Sequence, residues 1–92
     1  MDAPPKQSPD LDRLQEILDG SMTWPSEYTF KFIVPRAAAS HLVALLGELR
    51  FTERSSRTGK YIAVTVEARM DSSAAVIELY RRAAAVKGLI AL

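Results

Sequence analysis

The chain has no cysteine and no asparagine among its 92 residues. Without cysteine there can be no disulfide, thiolate metal site or thiol nucleophile, and the composition suits a reducing compartment. Histidine is nearly missing too, with His41 alone. A single helical histidine without a carboxylate or cysteine partner is more often structural than catalytic or metal-binding. The four glycines are scattered, so neither a phosphate-binding glycine loop nor a nucleophile elbow is present. No stretch approaches the ~18 consecutive apolar residues of a membrane span. The opening "MDAPPKQSPD" has no apolar core of a secretion signal. The expectation is a soluble, cytoplasmic protein that does not enter a membrane. An excess of one charge is also lacking: 12 Lys+Arg stand against 11 Asp+Glu, for a net +1. Residues 1–20 carry −3 and residues 21–92 about +4, too weak a field to recruit polyanions.

What the chain does have is pattern. Residues 1–8 hold two prolines and little to bury, and read as a disordered lead-in to a single domain over 9–92. In "SPDLDRLQEILDG", Ser8 is a candidate N-cap, Pro9 suits the first helical position and Gly20 is a stop. Leu11, Leu14, Ile17 and Leu18 make the apolar stripe of this short helix. A strand is expected over 26–34, and a helix over 36–49 with Ala38, Leu42, Leu45, Leu46 and Leu49 inward. "RFTERSSRTGKYIAVTVEA" reads as two strands around a turn at Arg57-Thr58-Gly59. Asp71 is expected to cap a helix over 72–85 with Val76, Leu79, Tyr80 and Ala83 inward. "GLIAL" is a closing strand.

The order helix, then β-α-β-β-α-β, predicts an α+β fold: a ferredoxin-like βαββαβ sandwich. Its sheet has four antiparallel strands, two helices cover one face, and a short N-terminal helix is extra. Alternation sets the register. Ile62, Val64 and Val66 must face the helices, because the opposite choice buries Glu67 and exposes three aliphatics. The same test turns Phe30, Phe32 and Val34 inward, although Tyr28, Phe30 and Phe32 look at first like a stacking platform. Thr29, Lys31, Ile33, Tyr61, Ala63 and Thr65 are then left on the open face.

That register weighs against the other occupants of this topology. RNA-recognition modules need rings on the open face of both central strands, and only Tyr61 points there. An acylphosphatase-like enzyme needs an asparagine beside the arginine of its first strand–helix loop. Arg36 stands near that place, but there is no asparagine. Copper chaperones of this fold need paired cysteines. Arg50, Arg54, Arg57 and Lys60 run along the central hairpin, where charge guards an edge strand or marks a partner site at the tip.

Two stretches carry a likeness. "LQEILDGSMTWPSEYTFKFIV", with Trp24, Pro25, Tyr28, Phe30 and Lys31, resembles the opening of the YbeD-like family of small bacterial proteins. "SSRTGKYIAVTV" is similar to the family's hairpin segment at Gly59, Tyr61, Val64 and Val66, and "IELYRRAAAVKGLIAL" resembles its closing helix and strand, including Tyr80. The resemblance implies a ferredoxin-like, ACT-like domain without known catalysis, in a regulatory or partner-binding role. Val34-Pro35 stand where the family has glycine, and the stretch before the hairpin is shorter. In related ACT-type domains that glycine lets a ligand approach backbone, so its loss argues against an amino-acid pocket there.

The expectation is a non-enzymatic regulatory or protein-interaction module. Its partner is another protein or a second copy of itself, a homodimer included; no cofactor or metal is implied, and a small-molecule ligand is left open. An RNA-binding module is the alternative, and a small acylphosphatase-like enzyme the next. The candidate partner-binding residues are Thr29, Lys31, Ile33, Arg54, Arg57, Lys60 and Tyr61, with no catalytic residue assigned.

Overall fold

A computed structural model describes residues 10–92. At its centre lie two ten-residue strands, β1 (Ser26–Pro35) and β3 (Tyr61–Met70), paired antiparallel along their full length. The pairing sets Phe30 opposite Val66, Phe32 opposite Val64 and Val34 opposite Ile62. All six side chains are buried, as alternation requires. Strand β2 (Phe51–Ser55) adds to the outer side of β3, and β4 (Ile90–Ala91) to the outer side of β1. The strand order β2-β3-β1-β4, with helices on one face, is the ferredoxin-like α+β arrangement.

Three helices supply the other layer: α1 (Leu11–Ser21), α2 (Ala39–Leu46) and α3 (Ser73–Ala83), with a 3₁₀ turn over Arg36–Ala38 leading into α2. Leu42 and Leu46 of α2 and Val76, Leu79, Tyr80 and Ala83 of α3 close over the strands. Tyr80 fits among the rings of β1, with its centroid 5.2 Å from Phe30 and 6.0 Å from Phe32. Its hydroxyl lies 3.1 Å from that of Tyr28. Burial raises the Tyr80 pKa well above the ordinary value of 10.0, and the Tyr28 contact adds to the rise.

Several boundaries differ from expectation, each for a local reason. Asp10 caps α1, its carboxylate accepting from the Arg13 amide at 3.1 Å. Ser8, Pro9 and the proposed lead-in over 1–8 lie outside the described residues. Gly20 does not stop α1, which continues to Ser21 before the chain turns extended at Met22. On its stripe Leu18 is buried and Leu11 and Leu14 pack on the core, but Ile17 is exposed. Helix α2 ends at Leu46, three residues early, because Gly47 takes a φ of +60° that side chains disfavour. Ser72, not Asp71, caps α3: its hydroxyl accepts from the Ala75 amide at 3.1 Å. Helix α1 is latched to α3 where the buried Ser73 hydroxyl donates to the Asp19 carboxylate.

Candidate functional site

Paired residues of neighbouring strands point to the same side of a sheet. The register therefore draws the open face row by row. Arg54, Ala63, Ile33 and Ile90 form one row across all four strands. Thr52, Thr65 and Lys31 form the next, with Leu92 alongside, its amide donating to the Lys31 carbonyl at 2.9 Å. Tyr61 opposite Pro35 closes one end. Thr29 opposite Glu67, then Glu27 opposite Arg69, continue toward the other. A groove of about 430 Å³ runs over the middle rows, lined by Lys31, Ile33, Arg54, Ala63, Thr65 and Leu92 among others.

Five of the seven candidate residues thus share one surface: Thr29, Lys31, Ile33, Arg54 and Tyr61. Arg57 and Lys60 are exposed in the hairpin turn, beyond the groove's lining. The four basic residues do not gather. Arg50 precedes β2 at its far end, in a depression shared with Glu27, Glu48 and Glu67. Ile90 and Leu92, from the closing strand, complete the face. Leu89 of the same segment is instead buried in the core, only 6% exposed. Its burial follows from the chain's entry through Gly88, where a φ of +77° brings the backbone against the Pro35 ring.

Arg36 takes a role that its sequence position hides. Its amide donates to the Lys60 carbonyl at 2.9 Å, and its Nε donates to the Gly59 carbonyl at 2.5 Å. A second guanidinium nitrogen donates to the Ser55 hydroxyl. The arginine clasps the β2–β3 hairpin, leaving much of its donor fork committed to the protein itself. His41 is exposed on α2, beside an apolar depression lined by Pro35, Ala37, Ala38, Lys87 and Gly88. Among the described residues no group of three or more His, Asp or Glu side chains is placed to hold a metal ion. No described helix is long and apolar enough to cross a membrane.

The open face therefore combines a ring, aliphatic side chains and hydroxyls with three cations, Lys31, Arg54 and Arg69, and the carboxylates of Glu27 and Glu67. A family model described as "Protein of unknown function (DUF493)" matches residues 19–91. No curated protein and no solved structure matches the chain.

Proposed function

The chain belongs to the DUF493 family of proteins of unknown function, and from that premise we propose a non-enzymatic, ACT-like regulatory module that recognises another protein through the open face of its sheet. One observation carries this reading. Tyr61 is 46% and Leu92 69% exposed on a face that also holds Ile33, Ile90 and Ala63, with Lys31 and Arg54 beside them. Exposed apolar area ringed by charge is the composition of a protein-recognition surface. The absence of cysteine suits work in the reducing cytoplasm.

The alternatives have less support. Phe30 and Phe32 are turned into the core, leaving Tyr61 as the face's one ring, which is poor material for stacking bases. Arg36 holds the hairpin rather than standing free for a phosphoryl group, and no asparagine exists to position water.

The test is the double variant Lys31→Glu with Tyr61→Ala, beside the helix-side control Arg82→Glu. The double variant should melt like the parent yet lose the proteins that the parent and the control both retain. The reading is wrong if it keeps every partner, or if the parent binds single-stranded RNA with micromolar affinity at physiological salt.

A further inference from the structure

The groove on the open face is a trough along β3. Its floor is Ala63 and Thr65, small side chains half-buried between taller neighbours. Ile33 and Lys31 stand along the β1 side, and Arg54 and Thr52 along the β2 side. Lys31 and Arg54 are exposed, and among the described residues neither contacts a carboxylate; the ion pair there is Arg81 with Glu78, on α3. Glu53 does not offset them, because it pairs with Val64 and therefore lies on the helix side of β2. The carboxylates of the open face, Glu27 and Glu67, lie beyond the groove's lining. The trough is thus uncharged along its floor and positive on both banks.

A sheet face offers side chains and no backbone groups, so whatever covers it must satisfy its own backbone hydrogen bonds. A lone extended segment cannot do that, and a helix can. A second copy of this sheet would also be self-sufficient. Laid face to face about a two-fold axis, however, it would bring its own Lys31 and Arg54 into the same groove and double the uncompensated charge. The width agrees with a helix. Strands β1 and β2 flank β3, so the banks lie two strand spacings apart, about 9.6 Å, against about 10 Å for a helix with its side chains.

We propose that the groove receives an amphipathic helix of a partner protein, its apolar stripe in the trough and a carboxylate on each flank, one for Lys31 and one for Arg54. The proposal rests on the recognition face inferred above and names what that face takes. The register sets the spacing. Arg54 lies in the row of Ala63 and Lys31 in the row of Thr65, so the cations stand on opposite banks, staggered by about 6.8 Å along the strands. Helix residues five apart are separated by about 7.5 Å of rise and about 140° of rotation, which puts them on opposite flanks at that stagger. Residues four apart share a flank. The fitting helix therefore carries Asp or Glu at i and i+5, with apolar residues at i+1, i+4 and i+8 facing the floor.

Binding of synthetic peptides to the full chain, followed by amide shifts in NMR spectra, tests this. Four peptides of about 16 residues share one apolar stripe. They carry Glu at i and i+5, Lys at the same places, Glu at i and i+4, or the first pattern broken by a central proline. The first should bind at least about tenfold more tightly than each of the others, moving the amides of Lys31, Ile33, Ala63 and Thr65. Lys31→Glu with Arg54→Glu should reverse the order of the first two. If that variant does not fold, the order on the parent decides alone; if it folds and keeps the parent's order, the proposal is wrong. Any peptide that equals the first overturns it as well: the lysine form removes the charge argument, the one-flank form the stagger, and the proline form the helix. No binding at about 1 mM, or shifts confined to the helix side, has the same effect. Should the peptides show no preference while Lys31→Glu with Tyr61→Ala still sheds its partners, the helix is refuted and the recognition face stands.

Discussion

Replacing Gly88 by alanine introduces one methyl group, and the surroundings say what it must cost. Gly88 has a φ of +77°, and a Cβ built there would lie 2.7 Å from Cγ and 3.2 Å from Cδ of Pro35. The left-handed backbone costs an L-residue about 1–2 kcal/mol. The overlap adds about 1–3 kcal/mol, because the obstacle is a proline ring closing β1 and not the end of a flexible chain. The sum, about 2–5 kcal/mol, is a large part of the ~5–15 kcal/mol that holds such a domain. Urea unfolding should show a lower midpoint at unchanged slope. In a Pro35→Ala background the overlap disappears while the backbone strain stays, so the same substitution should cost only about 1–2 kcal/mol. Equal losses in both backgrounds would show that Pro35 is not the obstacle. A loss under about 0.5 kcal/mol in the parent would show that the entry to β4 is not closed at all.

Phe30 is fully buried and meets the rings of Tyr28, Phe32 and Tyr80. Phe30→Ala should cost about 3–5 kcal/mol by urea titration, and a loss below about 2 kcal/mol would contradict its place in the core. Asp19→Ala strands the buried Ser73 hydroxyl and should cost about 1–3 kcal/mol. A chain starting at Ser21 loses Leu18 as well, worth about 1.5–3 kcal/mol of burial, so a melting temperature equal to the parent's would show that α1 is not docked. Tyr80 gives a pH dependence whose sign follows from its raised pKa. Below the ordinary value of 10.0 both states keep the proton and stability is unaffected; above it the unfolded chain ionises first, so stability falls. Between about pH 9 and about pH 11, Tyr80→Phe should show a shallower fall in melting temperature than the parent, and identical slopes would refute the burial argument.

The central strands were legible because alternation leaves one tolerable choice of face. Turning Phe30, Phe32 and Val34 outward would have buried Thr29 and Lys31 instead. "GLIAL" was not legible in the same way. Its residues are apolar without alternation, so nothing in the composition distinguishes the buried Leu89 from Ile90 and Leu92 on the open face. Only the approach to Pro35 sets that register. Caps were uncertain for a related reason. Asp71 and Ser72 can both accept an amide bond, and backbone direction decides between them. Arg36 drew attention through its position in the chain, but its partners lie at Ser55, Gly59 and Lys60, across a hairpin whose folding back is a tertiary event. Arg57 and Lys60 looked like part of one cluster with Arg54. A β-hairpin separates them, because strand residues and turn residues leave the chain in different directions.

The full-length β1–β3 ladder also has a kinetic side. Its partners are separated along the chain by residues 36–60, which must be looped out before the first rung at Pro35 and Tyr61 can close. Closing a loop of that length costs about 3 kcal/mol of chain entropy before any burial offsets it. The β2–β3 hairpin has only a short turn to close and can form within about 10 µs. The arrival of β1 should therefore set the folding rate, with most of the core assembled in the same step. Stopped-flow measurements would then find Phe32→Leu and Thr52→Ala both slowing refolding more than they hasten unfolding. Two neighbouring strands of one sheet would form at different times and still govern the same rate.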